Sequence, residues 1–223
     1  MPRLIFIRPA ETDYVLADRV MGRSDVDLNE NGRIQAFRLA ESLAGLDINF
    51  VAVSPLKRAI STAMCIEDEI EGLNITPYAG FQGADMGEWE TKCWGHIRGG
   101  DSSRYKTWLT DPDFRAPGGE SMREVYARAY SDIVNIVQQS REGELETIAL
   151  VLEETVLQAM LCAAMDLPLE VARRFEIEPG AYATFQRIYP GGPYRMMSWN
   201  RTEHLPRAEP GLKYDEEISG IEF

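Results

Sequence analysis

Residues 50–63 read FVAVSPLKRAISTA. The four apolar residues that open this stretch are too few for a helix but fit a buried strand, which ends at Ser54-Pro55. A helical pattern follows at once and extends over residues 56–70. A strand that passes directly into a helix is typical of βαβ units, from which parallel α/β sheets are built.

Two further apolar runs have the same form. Leu4-Ile5-Phe6-Ile7 ends at Arg8-Pro9, and residues 147–152 end at Glu153. Such runs are typical of strands that are buried on both faces. The segments between them are long enough for the crossovers that parallel strands require. We therefore predict three neighbouring parallel strands whose carboxyl ends lie at one end of the sheet.

Helical and hairpin patterns complete the predicted fold. Helices are expected over residues 32–46, 121–140 and 155–165. Residues 181–189 and 194–200 flank the turn sequence PGGP and predict a hairpin. The fold class is therefore α/β, with a mostly parallel mixed sheet and helices on both faces.

The domain organisation is predicted to be simple. No linker composition or internal repeat divides residues 1–201, which we interpret as a single domain, and residues 202–223 are interpreted as a C-terminal surface tail. The alternative for the tail is a pocket cover. Residues 80–120, rich in Gly, Trp and charge without clear periodicity, predict an irregular excursion over one end of the sheet.

Charge restricts the class of partner. The chain has 23 Lys and Arg against 36 Asp and Glu, a net charge of −13, which repels nucleic acid and anionic membranes at long range. We expect no nucleic-acid partner and no membrane partner. A local arginine cluster can still bind a small anion, so a phosphate pocket is not excluded.

Cysteines and apolar segments indicate the compartment. Three cysteines at wide spacing, Cys65, Cys93 and Cys162, fit neither a disulfide framework nor a thiolate metal site, and we expect no metal and no cofactor. The N-terminus lacks the apolar stretch of a signal peptide, and no run is long enough for a transmembrane helix. These observations favour a cytoplasmic protein.

The chemistry is expected where the strands end, because ligands of open α/β sheets bind beyond the carboxyl ends of the strands. Arg8, residues 54–58 and residues 153–155 occupy these positions. Two guanidinium groups converging there would bind phosphate or carboxylate. Ordinary surface salt bridges are the alternative.

Four segments together resemble one family. They are RPAET at residues 8–12, RSDVDL at residues 23–28, SPLKRA at residues 54–59 and PGGES at residues 117–121. In this order they resemble the histidine phosphatase (phosphoglycerate mutase-like) superfamily, and the resemblance extends from residue 3 to about residue 200. It implies a three-layer sandwich and a phosphohistidine mechanism. In that mechanism a histidine attacks phosphorus, arginines and a second histidine hold the phosphoryl oxygens, and a carboxylic acid protonates the leaving oxygen.

Carried over by position, the resemblance implies that the catalytic groups have been replaced. The nucleophile falls at Pro9, the acid at Gly83 and the second histidine at Glu153. Arg8 and Arg58 remain from the phosphate cradle. Proline cannot form a phosphoryl intermediate, so we expect no catalytic residue of the family type. If the alignment slips, the acid falls at Asp85, Glu88 or Glu90.

The predicted pocket residues form one set. They are Arg8, Arg58, Glu11, Glu153 and Glu154. A carboxylate at residue 153 would compete with phosphate, so we predict that Glu153 lies within salt-bridge distance of Arg8 or Arg58. The two histidines, His96 and His204, follow no strand and are interpreted as exposed or locally hydrogen-bonded. Cys93 is interpreted as inert.

Three functions follow from these residues. The favoured one is a catalytically inactive family member that binds a small anion, a phosphorylated metabolite or a partner. The first alternative is a phosphoric monoester hydrolase with reassigned residues, in which Glu153 acts as general base or nucleophile. The second is a structural or oligomeric protein, and a homodimer stays open.

Overall fold

Six strands form one mixed sheet in the computed structural model, which describes residues 3–141, 147–189 and 191–205. The strands are β1 (Arg3–Ile7), β2 (Phe50–Val53), β3 (Ile75–Pro77), β4 (Thr147–Val151), β5 (Tyr182–Arg187) and β6 (Tyr194–Arg201). Their order across the sheet is β3-β2-β4-β1-β5-β6. The first four in this order are mutually parallel, and β5 and β6 are antiparallel additions at the β1 side.

The three apolar runs are neighbours, as predicted. In the register, Val151 of β4 lies opposite Ile7 of β1 and Val53 of β2. The residues that follow these three strands therefore emerge at the same end of the sheet. The hairpin predicted around residues 190–193 is also present, as β5 and β6.

Seven helices are described within the same residues. They are α1 (Asp13–Leu16), α2 (Glu30–Leu43), α3 (Lys57–Glu69), α4 (Trp94–Gly100), α5 (Ser102–Thr110), α6 (Met122–Arg141) and α7 (Glu154–Ala164). Short 3-10 helices lie at Ala44–Leu46, Ala79–Phe81, Gly87–Trp89 and Leu169–Arg174. The predicted helix over residues 32–46 begins two residues earlier, because the Asn29 side chain accepts a hydrogen bond from the Gly32 amide and caps it.

Successive side chains of each strand point to alternate faces of the sheet, and helices cover both faces, which produces three layers. Ile5 and Val51 pack with helices α2 and α3, whereas Leu4 and Leu150 pack with helices α6 and α7 on the other face. Side chains of successive strand residues point to opposite faces, so a strand buried on both sides must be apolar throughout. The predicted α/β sandwich is confirmed.

The prediction that residues 80–120 are irregular was wrong in one respect, because this segment contains the helices α4 and α5. Trp94, Tyr105 and Trp108 contact one another with ring centroids 5.2–6.0 Å apart. Glycines at positions 95, 99 and 100 break the apolar periodicity of these short helices. They are held by aromatic packing and not by one apolar stripe, which is why periodicity did not reveal them.

The C-terminal prediction is only partly within the described chain. Nε2 of His204 donates a hydrogen bond to the Gly180 carbonyl oxygen at 2.9 Å. Its ring also lies 5.6 Å from that of Tyr182. Residues 206–223 of the predicted tail lie outside the described residues. No helix of the described residues combines the length and apolarity needed to cross a bilayer.

Candidate active site

A cavity of about 490 Å³ opens at the carboxyl ends of the parallel strands. Its lining includes Arg8, Pro9, Arg58, Gly83 and Glu153, which come from four separate segments of the chain. The sequence therefore predicted its location correctly. We refer to Arg8, Arg58, Glu153 and Glu154 together as the strand end of the cavity.

Arg58 and Glu153 form a buried ion pair. Arg58 lies in the first turn of α3 and is 1% exposed, and Glu153 caps α7 and is 4% exposed. Both Nε and Nη2 of Arg58 lie 2.8 Å from Oε2 of Glu153. The carboxylate thus meets the guanidinium through two charge-assisted contacts, as the sequence argument predicted for one of the two arginines.

The remaining donors of Arg58 are also used. Its Nη1 donates to the Ser24 carbonyl oxygen at 2.6 Å, and its Nη2 donates to the Gly22 carbonyl oxygen at 2.8 Å. These contacts attach the loop before α2 to the start of α3. Arg58 therefore has three internal acceptors in the position where the resemblance implies a phosphate ligand.

The second oxygen of Glu153, Oε1, does not contact Arg58 within hydrogen-bond distance. Oε1 is buried and has no well-formed hydrogen bond with the described residues. Burial raises the pKa of the Glu153 carboxyl, while Arg58, the Ser54 hydroxyl and Arg8 act in the opposite direction. An incompletely paired carboxylate in a dry site holds its proton more tightly than one in water.

Arg8 is likewise occupied. Its Nη1 donates to the Ile177 carbonyl oxygen, and its Nη2 lies 3.1 Å from Oε2 of Glu154. Glu154 is half exposed, so this pair is weaker than the one at Arg58. Arg8 ties the segment before β5 to the ends of β1 and β4.

Glu11, the remaining member of the predicted pocket set, does not line the cavity. Its carboxylate accepts from the side-chain amides of Asn29 at 2.9 Å and Asn31 at 3.1 Å. Thr12 begins α1 by accepting from the Val15 amide, and this turn directs Glu11 toward the start of α2. Including Glu11 in the pocket was wrong.

The position to which the resemblance assigns the acid has no room for a side chain. A Cβ at Gly83 would lie 2.3 Å from the carbonyl oxygen of Gly22. Arg128 fixes this segment from the other side, since its Nη2 donates to the Gly83 carbonyl oxygen at 3.0 Å. The packing of these two backbones requires glycine at position 83.

The three carboxylic acids that could take the place of Gly83 do not lie in the cavity. Asp85, Glu88 and Glu90 are absent from the cavity lining. Glu90 accepts from the amide of Arg23 at 2.8 Å and from the hydroxyl of Ser24, and so holds the loop that Arg58 also binds. Glu90 therefore stabilises the conformation of that loop.

Neither histidine of the chain lines the cavity. His96 is exposed on α4, and burial lowers the pKa of His204 near Gly180. Two of the cysteines are poor candidates for a nucleophile. Burial raises the pKa of the Cys65 thiol, and it raises the pKa of the Cys162 thiol to about 11. Cys93 precedes α4 and is not part of the lining.

Another part of the cavity lining was not predicted from the sequence. We call it the aromatic wall and define it as Trp94, Tyr105, Trp108 and Arg173. The Arg173 guanidinium carbon lies 3.9 Å from the centre of the Trp108 ring. Burial lowers the pKa of Arg173 to about 10, and its Nε has no hydrogen-bond partner among the described residues.

One signal in the sequence could have pointed to this wall. Arg173-Arg174 is a pair of adjacent cations in a strongly acidic chain, shortly after the helix that follows Glu153. The structure brings it to the cavity because Gln158 of α7 donates to the Phe175 carbonyl oxygen at 3.1 Å. The contact with Trp108, far away in sequence, could not be read from the residues alone.

Comparisons with known proteins agree with this architecture. A family model described as histidine phosphatase superfamily (branch 1) matches residues 4–202. Phosphoserine phosphatase 1 of Hydrogenobacter thermophilus is 28% identical over 185 residues, which cover 82% of this chain and 85% of that protein. Glucosyl-3-phosphoglycerate phosphatase of Mycobacterium tuberculosis is 28% identical over 172 residues, covering 75% of this chain and 77% of that protein. A solved structure of a mycobacterial glucosyl-3-phosphoglycerate phosphatase has a TM-score of 0.81 at 25% identity, covering 89% of this chain and 98% of the other.

Proposed function

Because the chain belongs to the histidine phosphatase superfamily, we propose that it is a member without phosphohistidine chemistry that uses the cavity to bind a small anion. One observation supports this above all others: of the two histidines in the chain, neither lines the cavity at the strand ends. A proline, Pro9, follows Arg8 at the end of β1, and it has no group that can attack phosphorus.

The energetics of the reaction support the same conclusion. Hydrolysis of phosphate monoesters is among the slowest uncatalysed reactions, and enzymes accelerate it by up to ~10²¹-fold. A missing general acid costs about 10²–10⁴ in rate, whereas a missing nucleophile removes the reaction path. Charge stabilisation by arginines does not replace that path.

A purified-protein assay tests the proposal. The full chain is incubated with a panel of phosphomonoesters that includes phosphoserine, a 3-phosphoglycerate ester and an aryl phosphate. We expect no turnover above a matched blank, and no phosphorylated protein by mass spectrometry at neutral to alkaline pH, where phosphohistidine survives. Turnover that disappears on Arg58→Met would refute the proposal.

A second function is supported by a separate observation. Oε1 of Glu153 is buried and has no well-formed hydrogen bond with the described residues, and Glu153 lines the cavity. The raised pKa of this carboxyl suits a general base. The relatives named above are phosphatases, so this candidate is a phosphoric monoester hydrolase in which Glu153 activates water. Glu153→Gln separates the two candidates, because it would abolish turnover by such an enzyme and would leave a binding protein able to bind.

A further inference from the structure

Arg173 differs from the other charged side chains that line the cavity. Within the described chain, Arg58 faces Glu153, Arg8 faces Glu154, and Arg98 lies 2.8 Å from Asp18. Arg19 donates to the Thr91 carbonyl oxygen at 2.9 Å. Arg173 has no ion pair among the described residues, and its Nε has no hydrogen-bond acceptor there.

The environment of Arg173 makes this unusual. Its side chain is partly buried and its guanidinium stacks on the Trp108 ring. Arg174, the neighbour in sequence, also lines the cavity but is exposed and can be hydrated. A partly buried guanidinium whose Nε has neither solvent contact nor a hydrogen-bond acceptor is costly, and stacking on a ring offsets only part of that cost.

We propose that Arg173 is the anchor of an anion subsite in this cavity, which binds the phosphate, phosphonate or carboxylate group of a small organic acid. The inference rests on the proposed function, since it names the cation through which the cavity binds an anion. The guanidinium stays protonated at neutral pH and offers unused donors in a fixed plane, which suits oxyanions.

The rest of the ligand is expected to be apolar and flat. Trp94 and Tyr105 pack against Trp108 and against each other, and they line the cavity together with Leu109. Aromatic walls with a few convergent polar groups are typical of small-molecule sites. An anionic group joined to a ring therefore fits the aromatic wall better than a bare inorganic anion does.

Calorimetric titration with phenylphosphonate tests this subsite. The compound has an oxyanion, a ring and no ester bond, so any hydrolytic activity leaves it intact. We expect wild-type protein to bind it, Arg173→Met to bind it at least tenfold more weakly, and methylphosphonate to bind more weakly than phenylphosphonate. Arg38→Met is the matched control, because Arg38 is an exposed arginine paired with Glu41 away from the cavity, and we expect its affinity to stay within twofold of wild type.

Thermal unfolding without ligand separates binding from packing. If Arg173 serves the subsite, removing this unpaired, partly buried cation leaves the unfolding midpoint of Arg173→Met unchanged or raises it, while the affinity for phenylphosphonate falls. A lowered midpoint with wild-type affinity would assign Arg173 to packing and overturn the subsite. If Arg173→Met fails to fold, Arg173→Lys is tested in its place. Lysine keeps the positive charge but lacks the planar guanidinium group. Wild-type affinity of Arg173→Lys for phenylphosphonate would also overturn the proposal.

The two proposals fail separately. Absence of phenylphosphonate binding by the wild-type protein at millimolar concentration overturns the Arg173 subsite and says nothing about turnover. Hydrolysis of the phosphomonoester panel refutes the proposed function, and the phosphonate titration still decides the role of Arg173.

Discussion

The strand end and the aromatic wall line the same cavity, and each contains an arginine in a different environment. At the strand end, Arg58 has a carboxylate and two carbonyl oxygens. At the aromatic wall, Arg173 has a tryptophan ring and no anion among the described residues. The comparison teaches that an arginine at the expected position is not the same as a cation available to a ligand.

The largest expected effect comes from removing the cation of the strand end. Arg58→Met leaves Glu153 as a buried charge without its partner, and we expect the free energy of unfolding to fall by about 3–5 kcal/mol. Urea denaturation measures it. The exposed control Arg38→Met is expected to change that free energy by less than about 1 kcal/mol.

A double variant sharpens this result. Replacing the whole pair, Arg58→Met with Glu153→Leu, removes both charges and is expected to recover much of the lost stability. If Arg58→Met alone unfolds no more easily than the Arg38 control, the buried pair is not an energetically coupled unit, and the contrast with the aromatic wall disappears.

The next effect concerns anion binding at the strand end. Glu153→Gln removes the internal carboxylate from Arg58, so we expect sulfate to bind about tenfold more tightly, which corresponds to ~1.4 kcal/mol. Calorimetry at fixed ionic strength measures the change. The gain should persist in Glu153→Gln combined with Arg173→Met, because it arises at Arg58. Unchanged or weaker sulfate binding by Glu153→Gln would show that Glu153 does not compete with external anions.

A smaller effect is expected in the dependence of stability on pH. Burial raises the pKa of Glu153 above its ordinary value of 4.5. A carboxyl that holds its proton more tightly in the folded state stabilises the fold at low pH, and this contribution is lost as pH rises from 4.5 through the folded pKa. We therefore expect the stability of wild type relative to Glu153→Gln to decline over that interval in urea titrations. A difference that grows with pH would mean that Arg58 lowers the pKa below 4.5 instead.

The smallest expected effect is that of restoring an imidazole. Pro9→His places a histidine after Arg8, but Arg58 still faces Glu153 and position 83 still carries no acid. Residues that act as a unit do not contribute additively, so we expect phosphatase turnover to remain undetectable. Measurable turnover by this single variant would show that the strand end is closer to a working site than its ion pair indicates.

Sequence predicted the strand end far better than the aromatic wall. Arg8 and Glu153 directly follow apolar strands, and strand topology alone brings such residues together. Glu11 was misplaced because a helix cap turned it toward Asn29, a local choice that spacing does not encode. Arg173 was missed because its position depends on packing against Trp108, which lies in another segment. Contacts made by the sheet could be predicted, whereas contacts made by side chains between distant loops could not.

The close approach of Gly83 to Gly22 also bears on how this protein can evolve. An acid at position 83 would clash with the Gly22 carbonyl oxygen, and moving that oxygen away would break its hydrogen bond with Arg58. A single substitution that places an acid at position 83 therefore damages the fold unless the loop that contains Gly22 is reshaped at the same time. Position 83 and this loop can change only together, so the backbone around them restricts the order in which substitutions are tolerated.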